Sequence, residues 1–193
     1  MRTHERKFQL LILAATTVGV AALAACGDDD PTSPGGETIL LEWTFAEDLE
    51  GWQGQTDPGP EGWGSVSHVD WGGDGMVGLD GTGNPDDPNA WITHEVDIPA
   101  NARTLRFMTS AHNRDGADSE FLVALTALDG AGERVTLIGW NSTSGTEGEL
   151  LWQERSVSLL AWVGRRVRLE FYQNDNGPGS HEQRYFDDIR ITG

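Results

Sequence analysis

Apolar and polar residues alternate with a period of two through much of this chain, in short segments separated by Gly, Asp and Asn. Residues 121–127 read FLVALTA and residues 166–172 read RVRLEFY, so an apolar side chain recurs at every second position. Successive side chains of a β-strand point to opposite faces, which makes this period the pattern of a strand with one buried face. No segment holds a helical period over three turns. The alternation therefore predicts an all-β chain.

The same pattern locates the other strands and the loops between them. Strands are predicted at 39–45, 63–68, 76–79, 91–98, 104–108, 121–127, 135–140, 152–160, 166–172 and 185–191. Residues 46–62 and 80–89 are predicted to be long loops. Two antiparallel sheets packed face to face would bury the apolar sets of these strands. Residues 39–193 are therefore predicted to form one two-sheet jelly-roll sandwich.

The N-terminus has the features of a targeting segment. Three basic residues precede the apolar run 8–25, which ends Leu-Ala-Ala directly before Cys26, the lone cysteine. This arrangement resembles a bacterial lipoprotein signal, and the resemblance implies cleavage before Cys26 and a lipid anchor on its sulfur. Residues 26–38 are rich in Asp, Pro, Ser and Gly and are predicted to form a flexible linker. Because Gly27 follows the cysteine, the resemblance implies a cell-envelope protein, preferentially in the outer membrane, whose domain faces the periplasm or the exterior.

The chain is strongly acidic, with 13 basic and 31 acidic side chains and a formal net charge of −18. Residues 1–25 hold three of the basic and one of the acidic side chains, so the mature chain would carry 10 and 30, with no lysine. This balance excludes nucleic acid and polyanions by repulsion, and it favours divalent cations and neutral partners. The absence of lysine excludes Schiff-base chemistry, and lipidation of Cys26 would exclude thiol catalysis and disulfides.

Several short motifs, in their order along the chain, resemble those of known jelly rolls. The motifs are FAEDLEGW at 45–52, LRF at 105–107, FLV at 121–123, Trp152, VSL at 157–159, Gly164, VRLEF at 167–171 and FDDIRI at 186–191. This order resembles MAM-like, cleaved-adhesin and related carbohydrate-binding domains. The resemblance implies a concanavalin- or galactose-binding-like sandwich with a binding function, either adhesive or sugar-binding. Eukaryotic MAM domains have paired cysteines that this chain lacks, so the resemblance is to the bacterial, disulfide-free branch.

The last predicted strand contains an acidic pair. If Ile189 and Ile191 face the core, strict alternation places Asp187 on the same face and turns Asp188 and Arg190 away. A carboxylate directed into a sandwich needs a partner, because an isolated buried charge is costly. The alternation therefore predicts that Asp187 is buried and paired.

In the families that the chain resembles, the partner of this aspartate is often a structural calcium ion, which a carboxylate of the first strand also binds. The resemblance implies a Ca²⁺ site with oxygen ligands from Glu47, Asp48, Asp187 and Asp188. In the alternative, Asp187 caps loop amides or pairs with Arg184 or Arg103.

Eight tryptophans are many for a chain of 193 residues, and seven of them fall in predicted loops or at strand ends. Indole rings stack on the C–H faces of sugars, and an acidic protein does not repel a neutral polysaccharide. The candidate ligand-binding residues border the long loops or alternate away from the core: Trp63, Trp71, Trp91, Trp140, Arg168 and Tyr172. In the alternative, the indoles fill the ends of the sandwich.

The sequence offers little support for catalysis. It contains no HExxH helix, no Gly-x-Ser-x-Gly elbow and no glycine-rich phosphate loop. Two hypotheses remain open: a membrane-anchored, non-catalytic module that binds extracellular carbohydrate, and an adhesion module that contacts another surface protein. A jelly-roll glycoside hydrolase or polysaccharide lyase has less support, because residue spacing on separate strands does not locate the paired carboxylates that such an enzyme needs.

Overall fold

The computed structural model describes residues 37–56, 64–82, 90–112, 119–130, 132–142, 151–175 and 181–193, and Glu37–Gly193 form one compact unit. These ranges contain eleven strands and one 3-10 turn, Leu160–Trp162. The strands are β1 (Ile39–Trp43), β2 (Gln53–Thr56), β3 (Gly64–Asp70), β4 (Gly75–Thr82), β5 (Ala90–Asp97), β6 (Thr104–His112), β7 (Ser119–Ala127), β8 (Arg134–Ser142), β9 (Gln153–Ser158), β10 (Arg166–Asp175) and β11 (His181–Thr192). Within these ranges, no helix has the length and apolar character needed to cross a membrane.

The strands form two antiparallel sheets. One has the order β3-β4-β11-β6-β9, with β1 also paired to β11, and the other has the order β2-β5-β10-β7-β8. The two sheets pack face to face around a single apolar cluster. This arrangement confirms the predicted all-β sandwich of jelly-roll type.

The centre of the core is aromatic. Phe107, Phe171 and Phe186 are each at most 1% exposed, and their ring centroids lie 5.0–6.0 Å apart in edge-to-face arrangements. Such pairs stabilise a core beyond the area that they bury, and each fixes the orientation of its neighbours. Because Phe171 belongs to β10 and Phe186 to β11, this packing joins the central strands of the two sheets.

Two predicted loops contain strand residues that the sequence analysis missed. β2 lies inside the predicted loop 46–62, and β4 extends through Thr82 into the predicted loop 80–89. All four residues of β2 are exposed, so this strand has no apolar alternation by which to predict it. It is held by pairing with β5 and by the close approach of Gly54 to Val66 of β3, where a Cβ would lie 2.7 Å from the valine side chain.

A β-bulge in β11 changes which side chains face the core. The pairing with β6 shifts between Asp187 and Arg190, and Asp188 has a φ of +47°. An extra residue in one strand reverses the alternation beyond it. Phe186, Ile189 and Ile191 are therefore the core residues, all 0% exposed, and Asp187 is out of phase with them. The prediction that Asp187 shares the inward face of Ile189 is wrong for this reason.

Candidate ligand-binding site

The outer face of the five-stranded sheet carries aligned rows of polar and aromatic side chains at its centre. Strands β2, β5 and β10 pair here in register, and the residues between these rows face the core. The outward rows are Gln55–Trp91–Tyr172, Gln53–Thr93–Glu170 and Glu95–Arg168. Cross-strand neighbours of this kind stand close enough to contact one another directly.

Trp91 and Tyr172 form a stacked pair across β5 and β10. Their ring centroids lie 5.8 Å apart with an interplanar angle of 28°. The indole Nε1 of Trp91 donates a hydrogen bond of 2.9 Å to Oε1 of Gln55, and the guanidinium of Arg134 lies 5.1 Å from the centre of the Tyr172 ring. Both aromatic side chains are partly exposed. The pair is therefore held in one orientation while part of each ring remains open to solvent.

The carboxylate of Glu170 holds the aromatic pair in position through a hydrogen bond from Tyr172. It accepts hydrogen bonds from the Thr126 hydroxyl at 2.6 Å, from Nε of Arg134 at 2.8 Å and from the Tyr172 hydroxyl at 2.7 Å. Burial alone would raise the pKa of Glu170, but these three donors outweigh it and hold the pKa below the ordinary value. Burial and the bond to Glu170 raise the pKa of Tyr172 to about 12. The network fixes an ionised carboxylate and a neutral tyrosine side by side.

An open cleft of about 320 Å³ lies next to the aromatic pair. It is formed by outward side chains of β2, β5 and β10, by the chain that leads into β2, and by His94, an inward position of β5 beyond the end of its pairing with β2. Its lining residues are Gly51, Gln53, Gln55, Thr93, His94, Glu95 and Arg168. The lining thus offers amide, hydroxyl, carboxylate and guanidinium groups, which can both donate and accept hydrogen bonds.

His94 and Gly51 form the inner end of the cleft, where β2 pairs with β5 only as far as Thr93. The His94 ring stacks on Trp52 at 5.2 Å and meets the edge of Trp43 at 5.0 Å. Its Nδ1 is buried and has no hydrogen-bond partner among the described residues. Gly51 has a φ of +83°, and a Cβ there would lie 3.5 Å from the imidazole. The cleft therefore ends on an imidazole that two indoles hold in place.

Glu95 is paired with two arginines at the other side of the cleft. Nη2 of Arg168 lies 3.0 Å from one carboxylate oxygen, and Nη2 of Arg166 lies 3.3 Å from the other. The hydrogen bond from Arg168 is the largest influence that lowers the pKa of Glu95. Arg168 lines the cleft together with Glu95, whereas Arg166 lies outside it.

The structure brings three of the predicted ligand-binding residues together. Trp91, Arg168 and Tyr172 share the outer face of the five-stranded sheet. Trp71 is 53% exposed in the turn between β3 and β4, on the other sheet, and Trp140 is 43% exposed on the edge strand β8. Trp63 lies outside the described residues.

Other indoles serve the core, as the alternative interpretation had it. Trp43, Trp52 and Trp162 are each at most 8% exposed. The guanidinium of Arg165 lies 4.9 Å from the centre of the Trp162 ring and also pairs with Asp129. These indoles belong to the buried apolar cluster.

Sequence reasoning did not single out most of the cleft lining. Thr93 and Glu95 alternate with Trp91 along β5, so the period-two pattern could have placed them beside it. Gln53 and Gln55 gave no signal because β2 was not predicted. His94 gave none either, because its place at the cleft depends on where β2 stops pairing with β5.

Asp187 is buried, with 8% of its surface exposed, and its Oδ1 accepts a hydrogen bond of 2.7 Å from the amide of Asp188. Burial raises its pKa to about 7, and the nearby charges of Asp188, Asp74 and Glu50 add to this effect. No ion pair links Asp187 to an arginine within the described ranges.

The segment after β1 contains two of the predicted calcium ligands. Glu47 and Asp48 are exposed, and Oδ1 of Asp48 accepts a hydrogen bond of 2.6 Å from the amide of Glu50. Glu50, and not Glu47, is the residue of this segment whose charge acts on Asp187. Across the described part of the chain, no three His, Cys, Asp or Glu side chains are grouped to hold a metal. The calcium site stays a prediction, and Asp187 is its best-placed member.

No protein-family model matches this chain, and no curated protein sequence matches it. Solved structures are similar to it in fold. The K1 cleaved adhesin domain of Lys-gingipain from Porphyromonas gingivalis superposes with a TM-score of 0.55 at 15% identity, covering 78% of this chain and 96% of that domain. The CBM22-1 xylan-binding domain of Paenibacillus barcinonensis Xyn10C gives a TM-score of 0.50 at 15% identity, covering 80% of this chain and 94% of that one.

A third similar structure is part of an enzyme. The N-terminal CBM22-1–GH10 modules of Clostridium thermocellum endo-1,4-β-D-xylanase 10B, complexed with xylohexaose, superpose with a TM-score of 0.55 at 17% identity. The match covers 80% of this chain but 28% of the xylanase chain. At these identities the likeness establishes the fold that the chain shares with cleaved-adhesin and carbohydrate-binding modules.

Proposed function

We propose that this chain is a non-catalytic module that binds extracellular carbohydrate through the outer face of its five-stranded sheet. The observation that carries the proposal is the cleft of about 320 Å³, whose polar lining adjoins the stacked pair of Trp91 and Tyr172. A sugar ring presents hydroxyl groups at its edge and apolar C–H groups on its faces. A cleft with fixed polar groups beside aromatic side chains matches both features.

The charge of the protein favours a neutral polysaccharide as the partner. The formal net charge is −18, which repels polyanions over several ångströms. The two carboxylates at the site are already paired, Glu170 with Arg134 and Glu95 with Arg166 and Arg168. A neutral ligand meets neither long-range repulsion nor an unpaired charge.

The similar solved structures support this proposal. One is described as a xylan-binding domain and another as a xylanase module pair complexed with xylohexaose, whereas the third is an adhesin domain. The same sandwich therefore serves sugar binding and adhesion in other proteins. In this chain, the cleft favours sugar binding over adhesion.

The cleft also supports binding over catalysis. Glycosidases of the common type place two carboxyl groups on opposite sides of the scissile bond. Among the described residues that line this cleft, Glu95 is the one acidic side chain, and two guanidinium groups engage it. Glu170 is 5% exposed and is engaged by three donors.

We infer from the sequence that the module works at the cell envelope on a lipid anchor. Cys26 and the linker to residue 38 lie almost entirely outside the described residues, so the support is the lipoprotein-like pattern of residues 1–26. Radiolabelled palmitate should label the wild-type protein, and Cys26→Ser should lose the label. Equal labelling of the two would contradict the anchor.

We also propose that a structural Ca²⁺ ion lies beside Asp187. The support is a buried carboxylate that lacks an ion-pair partner among the described residues and whose pKa is raised further by the charges of Asp188, Asp74 and Glu50, an effect that a divalent cation would relieve. The role of Glu47, Asp48 and Asp188 as further ligands stays a prediction.

Affinity gel electrophoresis tests the proposed binding face. The purified protein should be retarded in gels that contain at least one neutral polysaccharide, such as xylan, mannan or galactan. Trp91→Ala should weaken this retardation about tenfold, because it removes one ring of the aromatic pair that adjoins the cleft. Trp71→Ala is the matched control, since Trp71 is more exposed but lies on the other sheet, and it should behave as the wild type.

The same gels can contradict the proposal. A folded wild-type protein that no neutral polysaccharide retards would not be a carbohydrate-binding module. Retardation that survives Trp91→Ala and is lost in Trp71→Ala would move the site to the other sheet.

The adhesion hypothesis keeps one specific observation in its favour. Trp71 and Trp140 are 53% and 43% exposed, and neither lines the cleft. Large exposed indoles are enriched in protein interfaces. If the sugar gels fail, these two residues are where a protein partner would be sought first.

A further inference from the structure

The pairing of Glu95 and Arg168 has a geometry that bears on which sugars the cleft binds. The two side chains lie opposite each other on β5 and β10, both are more than 40% exposed, and both line the cleft. Nη2 of Arg166, also on β10, donates a hydrogen bond of 3.3 Å to the other oxygen of the Glu95 carboxylate. A carboxylate held at both oxygens cannot rotate freely, so its remaining lone pairs point in fixed directions.

Both partners retain hydrogen-bonding capacity toward the cleft. An ionised carboxylate accepts up to about four hydrogen bonds, and a guanidinium donates five. Within the described residues, Arg168 donates to Glu95 alone, and Glu95 accepts from Arg166 and Arg168 alone. The cleft therefore presents a fixed acceptor and a fixed donor side by side, with their bonded atoms 3.0 Å apart.

We propose that Glu95 and Arg168 together determine the specificity of the cleft by recognising two adjacent hydroxyl groups of a neutral sugar ring. One hydroxyl donates to the carboxylate of Glu95, and its neighbour accepts from the guanidinium of Arg168. This inference rests on the proposed function, because it assumes that the cleft binds carbohydrate. Thr93 and Gln53 lie in the neighbouring row and supply neutral groups for the rest of the ring.

The pair fits adjacent hydroxyls better than it fits a charged group. An anionic ligand would meet Glu95 directly, and a cationic ligand would meet two guanidinium groups. A ligand with a single hydroxyl at this position would leave one charged partner without the hydrogen bond that water otherwise supplies. A ring with two adjacent hydroxyls satisfies both partners at once, which a ring with a single hydroxyl does not.

Polysaccharides with and without adjacent free hydroxyls provide the test. In β-1,4-linked xylan or mannan each internal ring keeps free hydroxyls at positions 2 and 3, whereas internal rings of β-1,3-glucan have no two adjacent free hydroxyls. The wild-type protein should bind a 1,4-linked polymer at least about tenfold more tightly than β-1,3-glucan. Periodate, which cleaves adjacent diols, should abolish binding to the 1,4-linked polymer.

Three substitutions locate the effect. Glu95→Gln and Arg168→Gln should each weaken binding to the 1,4-linked polymer about tenfold or more. Arg190→Gln is the matched control, because Arg190 also pairs with a glutamate, Glu154, but lies on the other sheet and does not line the cleft, and its affinity should stay within about twofold. Circular dichroism and melting curves should show that all three variants are folded.

The outcomes separate this inference from the proposed function. If the wild type binds a neutral polysaccharide but Glu95→Gln and Arg168→Gln bind equally well, or if β-1,3-glucan is the preferred ligand, the diol inference fails and the proposed function stands. If Arg190→Gln weakens binding as much as Arg168→Gln does, the pair is not the specific contact. If no neutral polysaccharide binds, both proposals fail.

Discussion

Glu170 links several side chains on the outer face of the five-stranded sheet, the proposed binding face. Its side chain is almost fully buried, yet three donors from three different strands converge on it: Thr126 of β7, Arg134 of β8 and Tyr172 of β10. A buried carboxylate without such partners would be costly, but with them it joins three strands through one group. The position of the Tyr172 ring, and through stacking that of Trp91, follows from this network.

The lowered pKa of Glu170 predicts how stability depends on pH. A carboxyl whose pKa is lower in the folded state than in the unfolded state stabilises the fold above its ordinary value of 4.5, and it loses this contribution as the pH falls through the lowered pKa. We expect Glu170→Gln to lower the free energy of unfolding by about 2 kcal/mol at pH 7. The difference from the wild type should shrink as the pH falls below 4.5 and through the lowered pKa.

Urea denaturation at several pH values measures this difference. Glu120→Gln is a suitable control, because Glu120 lies on β7 outside the network of Glu170. A constant difference between wild type and Glu170→Gln from pH 7 to pH 3 would contradict the proposed role of the ionised carboxylate.

The candidate site could be predicted in part from single residues. Trp91, Arg168 and Tyr172 were found because alternation turned them away from the core or placed them beside a loop. Gln53 and His94 could not be found, because an exposed glutamine and a lone histidine carry no pattern of their own. They line the cleft only because β2 pairs with β5 and β5 pairs with β10, and this pairing is set by the whole sheet and not by the two residues.

At the scale of elements, alternation predicts a strand only when one of its faces is buried in the usual way. β5, β7 and β10 have a buried apolar set and were predicted to within three residues of their observed bounds, whereas β6 continues four residues beyond its predicted end. β2 is polar throughout and exists because the neighbouring β5 offers it hydrogen bonds. A strand of this kind cannot be read from its own residues.

The bulge in β11 has a second consequence, because it places Asp187 among other acidic groups. At neutral pH, Asp187 with a pKa of about 7 is partly ionised although it is buried. A bound cation and an uncompensated charge predict opposite effects of Asp187→Asn. Removal of a calcium ligand should destabilise the protein, whereas removal of an uncompensated buried charge should stabilise it.

Melting curves at pH 8 distinguish these cases. We expect calcium to raise the melting temperature of the wild type above its value in chelator, and we expect Asp187→Asn to melt at a lower temperature than the wild type in calcium and to lack this shift. A variant that melts higher than the wild type, with no effect of calcium on either protein, would show that no ion binds there.

At the scale of the whole molecule, the two sheets differ in what they present to solvent. The five-stranded sheet carries the cleft, and three paired arginines, Arg134, Arg166 and Arg168, lie on its outer face in a protein of formal net charge −18. These arginines neutralise the carboxylates beside the cleft. The face is therefore locally balanced within an acidic molecule, and we expect it to favour a neutral ligand over an anionic one.

The most direct test of this account maps the ligand onto the structure. Amide and indole resonances of the purified protein should be followed by ¹H–¹⁵N NMR during titration with xylohexaose and with mannan-derived oligosaccharides. We predict that the largest shift changes occur at the amides of β2, β5 and β10 and at the indole N–H of Trp91. Changes confined to the six-stranded sheet, or no change with any of these sugars, would contradict the assignment of the binding face.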